Sequence, residues 1–454
     1  MITGTERALE IHDPADGSLV GTVPIATADE LDDAVVTARR SSSDWARTPA
    51  AERGSAVREA AAALRAAADE LSRINCSETG KPIDESLGGI LAGAGTLEQY
   101  AELGPLRGGR TLLGDPNATD LMVPEPRGVV VALTPWNDPV AVACGLIGAA
   151  LVTGNTVVHK PSERCPHLGA QLGRVLADVL PAGVLQTVQG DGSVGAALAA
   201  RPDVDVVAHV GSTAAGRSIA AAVAATGGKA LLENGGNDPL IVDEGVDPIW
   251  AAGQAALGAF ANSGQICVAV ERIYVHRAVA GPFLTALTAE AQSRALAPLV
   301  DRRHREGVHG QVLQAVESGA ELLTGGELPD GPGAHYPATV LTSCTPGMDV
   351  MRTETFGPVA PVTVVDNFDE ALRLAADDEY GLAATVLTGS QANAQRAWRE
   401  LPVGTVKINA VFGGAPGGAA QPRRASGSGF GYGPELLDEM TQVKVVHWEP
   451  APTS

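Results

Sequence analysis

From residue 129 onward the chain alternates short, unbroken apolar runs with longer segments of helical periodicity. Val129-Val130-Val131-Ala132-Leu133 is such a run, and continuous β-branched runs of this kind are typical of strands buried on both faces of a parallel sheet. Further strands are expected at 155–159, 184–188, 204–210 and 229–232, with helices at 139–152, 166–180, 192–200 and 214–226 between them. Strands separated by helices call for right-handed crossovers, so this half reads as a doubly wound α/β domain. A second α/β series opens near Pro239 with Ile241-Val242 and runs to about Asn409. Ahead of both, residues 27–40, 50–77 and 88–103 carry helical periodicity, with Asp29 and Glu52 near the first two starts. Residues 104–116 break that pattern with glycine and proline, 121–124 read as a strand, and 441–448 alternate like a strand. Residues 410–433 are rich in Gly and Pro and too long for a plain connector, so they form either a functional loop or a mobile one.

A chain of 454 residues exceeds what one core supports, so two or three domains are expected. The net charge of −21 argues against nucleic acid and anionic membrane as partners, because both need clustered Lys and Arg. Lysine is confined to Lys81, Lys160, Lys229, Lys407 and Lys444, so each is worth a question. The cysteines (Cys76, Cys144, Cys165, Cys267, Cys344) are scattered and odd in number, which fits a reducing compartment without a disulfide framework. The histidines form no metal-ligand pattern, and the longest apolar run, 140–152, is too short to span a bilayer. A cytoplasmic enzyme with a small-molecule substrate is expected.

The chemistry centres on Phe260-Ala261-Asn262-Ser263-Gly264-Gln265-Ile266-Cys267. Small and polar residues lead one cysteine out of a helical run, 249–261, toward a β-type run, 268–275. A thiolate attacks carbonyl carbon well, but a free cysteine is little ionised at neutral pH and needs an electropositive or dipolar setting. Packing as a small apolar residue is the plainer alternative. Thr134-Pro135-Trp136-Asn137 follows an apolar strand, where a rigid Asn137 either donates its amide to an oxyanion or satisfies a local turn. Glu233 closes another apolar strand, placed for a desolvated general base or for a loop acid. Gly211-Ser212 opens a helix after a strand, as a diphosphate site or an ordinary cap. Lys160-Pro161-Ser162-Glu163 ends a strand at the carboxyl edge of the sheet, as a ribose site or a solvated ion pair.

Together these stretches resemble the aldehyde dehydrogenase superfamily over nearly the whole chain. Thr-Pro-Trp-Asn (134–137), Lys-Pro-Ser-Glu (160–163), Gly-Ser-Thr with Gly216, Leu-Glu-x-Gly-Gly (232–236), Phe-x-Asn-x-Gly-Gln-x-Cys (260–267) and Glu-x-Phe-Gly-Pro (354–358) occur in family order. The resemblance implies Cys267 as nucleophile, Asn137 with the Cys267 N–H as oxyanion hole, and Glu233 as the base for the deacylating water. It implies a dinucleotide, NAD with NADP possible, held by Thr134, Pro135, Trp136, Lys160, Ser162, Glu163, Gly211, Ser212, Glu354 and Phe356, with no metal. It further implies a Rossmann-like cofactor domain (1–109 and 128–235), a catalytic domain (236–436), and a β flap (110–127 and 437–454) that assembles a homodimer or homotetramer. Asn234 and Asn237 depart from the usual Leu and Lys after the base, and 296–305 looks shortened. Ile266 and Val268 flank the cysteine with apolar surface, pointing to a small or medium uncharged aldehyde. An aminoaldehyde attracted by Glu98 and Glu102, a semialdehyde, or a catalytically silent protein on the same fold are the alternatives.

Overall fold

The computed structural model describes residues 7–414 and 418–451. Two α/β bodies share a cleft. In the first, five parallel strands run in the order Lys229–Glu233, Val206–Val210, Val129–Leu133, Thr156–Lys160 and Leu185–Thr187. The two-residue strand Gly427–Ser428 adds antiparallel to the outer side of Lys229–Glu233. Alternate residues of one strand feed separate cores: Val130 and Ala132 pack with helices Ala50–Ala66, Ile83–Leu103 and Pro139–Val152. Val129, Val131 and Leu133 pack with helices Ala28–Arg47 and Thr213–Thr226 on the other face. Burial on both faces is why the central strand Val129–Leu133 is apolar at every position.

The second body has seven strands, centred on Pro239–Val242, Arg272–His276 and Val359–Val365, all parallel except the edge strand Glu321–Thr324. It repeats the two-sided logic, with Leu240, Val242 and Ile273 facing one core and Ile241 and Tyr274 the other. A separate antiparallel sheet joins Arg110–Leu112, Thr119–Pro126 and Thr441–Trp448. Its outer positions are open, with Val445 68% and Trp448 70% exposed.

Most expected elements are present, with differences that have local causes. The helix expected over 50–77 is two helices, Ala50–Ala66 and Ala68–Thr79, meeting at Ala67 with φ −93° and ψ 2°. Alanine favours helix, so the break follows from docking the second piece, through Ala68 and Leu71, into the first core. The β-type run 268–275 begins pairing only at Arg272. The N–H groups of Ala269, Val270 and Glu271 go instead to Ile266, Gly258 and Asp238 carbonyls, which hold the cysteine turn in place of a ladder. The hairpin Ala8–His12 with Leu19–Pro24 was not expected, although Asp16-Gly17 is a turn signal and Gly17 has φ +76°. Of the stretch 410–433, residues 415–417 lie outside the described residues, and the remainder is pinned in part by Arg424, which donates to the Asp378 carbonyl at 2.6 Å.

The buried pair Arg272–Asp378, 2.9 Å apart, anchors the second body beneath the site, and Asn237 donates to the same carboxylate at 2.8 Å. Removing one partner strands the other charge, which costs about 3–5 kcal/mol. Asp378→Ala should therefore lower the urea midpoint strongly, and the double variant Asp378→Leu with Arg272→Met should recover part of the loss.

Candidate active site

The cysteine is delivered by a turn that the backbone resists. After helix Pro248–Phe260, Asn262, Ser263 and Gly264 take φ +47°, +56° and +76° in succession. Left-handed backbone is costly for non-glycine residues, so the turn must be held from outside. Ser263 Oγ donates to the Ala297 carbonyl at 2.6 Å, the Gln265 side chain bridges Asn262 O and Val300 N, and Asn262 Nδ2 donates to Gln265 O. A Cβ on Gly264 would lie 2.1 Å from the Gly357 carbonyl, so glycine is required there for closeness as well as conformation. The turn thus backs directly onto Gly357, joining the cysteine stretch to the Glu-x-Phe-Gly-Pro stretch.

Cys267 emerges half-buried, with Sγ 3.8 Å from Glu233 Oε1. Asn137 Nδ2 donates to the Gln265 carbonyl at 3.1 Å, which fixes its amide beside the cysteine turn and leaves its second N–H free of that bond. Lys81 steadies the same loop, donating to the Asn137 carbonyl at 3.2 Å with Asp138 3.7 Å away. Glycines make the carboxylates fit: a Cβ on Gly431 would meet Glu233 Oε2 at 1.9 Å, and one on Gly235 would meet Glu354 Oε2 at 2.1 Å. Glu354 accepts from the Gly236 N–H at 2.9 Å. Buried Glu271, which the sequence reading missed, accepts from the N–H groups of Thr355 and Phe356 at 3.0 Å each. His304 donates to the Phe356 carbonyl at 2.8 Å, so Phe356 is held on both sides at φ +51°.

Carboxylates dominate the surroundings of the cysteine. Burial, then the carboxylates of Glu233, Asp238, Glu354 and Asp138, push the Cys267 thiol well above its ordinary range. Burial also raises Glu233, with the thiol contact opposing it, and drives Glu354 up to about 7 against the pull of the Gly236 N–H. The resting site therefore favours neutral thiol and raised carboxyls, and Glu233 is the carboxylate in contact with the sulfur. Glu98 and Glu102 are committed to Arg65 and Arg58, so they are helix-surface acids and not an amine-attracting pair.

Two adjoining cavities receive the remaining residues. One of about 400 Å³ is lined by Asn137, Glu233, Cys267, Glu354 and Phe356. The other, about 620 Å³, is lined by Thr134, Lys160, Ser162 and Glu163, while Pro135, Trp136, Gly211 and Ser212 border both. The residues expected to act as nucleophile, amide donor and base, and those expected to hold the dinucleotide, thus all line these two adjoining cavities. Lys160 is no solvated loop cation: it is buried and donates to the Pro161 and Gly190 carbonyls at 2.8 Å each, 4.0 Å from Glu163. Ser212 does cap helix Thr213–Thr226 through the Ala215 N–H, and its hydroxyl also borders the cleft. The departure Asn234 packs against Gly216 and donates to the Ala425 carbonyl at 3.0 Å, so it ties the base strand to the C-terminal stretch. Arg164, Arg303 and His304 were missed as lining residues. The one sequence signal for them was the Arg302-Arg303 pair in a chain poor in basic residues.

A cysteine and a carboxylate in contact, with an amide donor tied to the same turn and two adjoining cavities beside them, suit nucleophilic chemistry at a carbonyl carbon. Residues 1–446 match the Aldehyde dehydrogenase family, and the chain belongs to it. Among solved structures it is similar to lactaldehyde dehydrogenase from Escherichia coli, with 32% identity over 98% of this chain and 97% of that one, at a TM-score of 0.95. It is likewise similar to an NAD-dependent aldehyde dehydrogenase from Sinorhizobium meliloti (32% identity, 98% and 93% covered, TM-score 0.94). A third is betaine aldehyde dehydrogenase from Staphylococcus aureus in complex with NAD+ (29% identity, 99% and 92% covered, TM-score 0.95). The protein is thus an oxidoreductase of the aldehyde dehydrogenase fold, and among the described residues no helix is long and apolar enough to cross a membrane.

Glu354 provides a test of these electrostatics. Its folded value lies above its ordinary 4.5, so between about pH 4.5 and 7 the folded state binds the proton more tightly than the unfolded chain. Its contribution to stability is present below that window and lost as pH rises through it. Glu354→Gln should flatten the fall of melting temperature across this range and raise it above pH 7, relative to the parent without cofactor. An unchanged profile would contradict the burial argument.

Proposed function

We propose that this enzyme oxidises a small or medium uncharged aldehyde to the carboxylic acid with NAD, through a cysteine-bound thioester released by water. The observation that carries the reading is the 3.8 Å contact between Cys267 and Glu233 at the mouth of the cleft, with the Asn137 amide tied to the same turn. The fit to a dinucleotide rests on this chain's residues. The two cavities meet at the N-terminus of helix Thr213–Thr226, where a diphosphate is favoured, and carry a carboxylate at each end, Glu163 and Glu354, to accept from ribose hydroxyls. Buried His209 also lines the larger cavity. Bound there, NAD supplies a hydride acceptor.

The thiol is held neutral, so attack begins with transfer of its proton to Glu233, the carboxylate in contact with it. Sulfur then adds to the aldehyde carbon, and the Asn137 amide with the Cys267 N–H meets the oxyanion. Loss of hydride leaves the thioester on Cys267. Glu233, having released its proton, next deprotonates the water that frees the acid. This gives Glu233 two proton transfers, where the sequence reading had assigned only the second. The relatives are named for different aldehydes, so the substrate reading rests on the apolar Ile266 and Val268 that flank the nucleophile in sequence. The remaining assignments belong to the same reading: cofactor and catalytic domains divided as the motifs suggest, and the exposed Val445 and Trp448 of the three-stranded sheet meeting a second copy in a homodimer or homotetramer.

The experiment is stopped-flow NADH formation with a panel of aldehydes, followed by identification of the acid. In Glu233→Gln the steady state should fall by roughly 10²-fold or more, the size of a lost general base, and the burst itself should slow. A burst of parental rate would confine Glu233 to the water step. Cofactor choice is tested separately, because exposed Glu163 gains a ribose hydroxyl and repels a 2′-phosphate. Glu163→Ser should shift the NAD to NADP ratio of kcat/KM toward NADP by about tenfold; no shift would remove this carboxylate as the selector.

A further inference from the structure

The two cavities are joined at a waist, and the residues that line both come from the first body with one exception. Pro135, Trp136, Arg164, Val210, Gly211 and Ser212 belong to the first body, and Arg303, on helix Arg302–Glu317, belongs to the second. The cations near this waist differ in what already engages them. Lys160 is spent on two backbone carbonyls. Arg164 lies 2.8 Å from the Asp301 carboxylate and 5.1 Å from the centre of the Trp136 ring. Exposed Arg303 has no carboxylate within ion-pair distance among the described residues. His304 beside it is kept neutral by burial, so it adds no charge.

An unpaired guanidinium in a chain of net charge −21, placed where two ligand cavities meet, is suited to an anion there. Resting on the dinucleotide reading above, we propose that Arg303 is the second body's contact to the cofactor diphosphate, closing the waist from the side opposite the Ser212 helix. The first body then supplies backbone N–H groups and a helix dipole, and the second supplies an exposed, unpaired positive charge. Such a division lets the diphosphate draw the two bodies together as the cofactor settles, because each phosphate oxygen taken by Arg303 is a bond across the cleft. It also gives a function to the Arg302-Arg303 pair within the segment that departs from the family pattern.

The test is cofactor binding without turnover, read by quenching of tryptophan fluorescence and by calorimetry, with NAD, ADP-ribose, NADP and adenosine as probes. Arg303→Gln should raise the Kd of NAD and of ADP-ribose about tenfold, as expected for loss of one charge-assisted contact, and leave adenosine within about twofold. It should also weaken the salt dependence of NAD binding, and Arg303→Lys should restore part of the affinity. Because the side chain is exposed, the melting temperature of either variant should match the parent. Equal NAD affinity in parent and Arg303→Gln overturns the proposal, as does a loss equally large for adenosine, which would mean a deformed cleft. A loss confined to NADP would overturn it too, assigning Arg303 to the 2′-phosphate. If the parent binds neither NAD nor ADP-ribose, the dinucleotide reading itself fails, a result separable from the others.

Discussion

Three consecutive residues in left-handed backbone, Asn262 to Gly264, are the constraint on which the site depends. A helix cannot continue through them, so Phe260 ends it and Cys267 is turned out toward the cleft. Two of the three carry side chains and are strained there, which makes the turn affordable only inside a rigid surround. That surround is drawn from distant chain: the Ala297 and Val300 backbone, Gly357 in direct contact, and the carbonyl of Gln265 shared between Asn137 and Asn262. The bonds that stabilise the turn are thereby the ones that register nucleophile, amide donor and the Glu354 loop against one another.

A second consequence is electrostatic. Burial raises Glu233, Glu354, Glu271, Asp238 and the thiol, and repulsion from neighbouring carboxylates adds to it at Glu271, Asp238 and Cys267. Such a cluster works against stability above neutral pH, and glycines at 235, 236 and 431 are what allow it sterically. Structure and chemistry pull in different directions here: burial that burdens the folded state also makes these carboxylates stronger proton acceptors than solvated ones.

The cleft itself is bridged by contacts from both bodies. Arg164 pairs with Asp301, and Trp136, His304 and Phe356 meet edge to face, with centroids 5.4 to 6.2 Å apart. The short strand Gly427–Ser428, which returns to pair beside Glu233, and Leu436 and Leu437, which enter the first core, tie the end of the chain to the side that begins it. A ligand in the cleft thus touches elements from most of the sequence.

Much of this was legible in the sequence because its signals are local. The continuous apolar strand at 129–133 must be buried on both faces, and Gly-Ser after a strand opens a helix whatever lies around it. The motif residues were likewise readable, since carbonyl oxidation needs a nucleophile, a base and an amide donor at strand ends. Tertiary structure alone decided what surrounds them. No pattern in residues 269–271 says that their N–H groups serve the cysteine turn, a helix and the Asp238 carbonyl instead of a ladder. Nor does Glu271 or Arg303 carry a mark of its place: one supports a loop more than eighty positions away, and the other faces a cavity of the opposite body. The charge around Cys267 is likewise set by tertiary structure. A pKa depends on which carboxylates arrive from afar and how much water leaves with them, and both are properties of the packed chain, not of the residues that flank the cysteine.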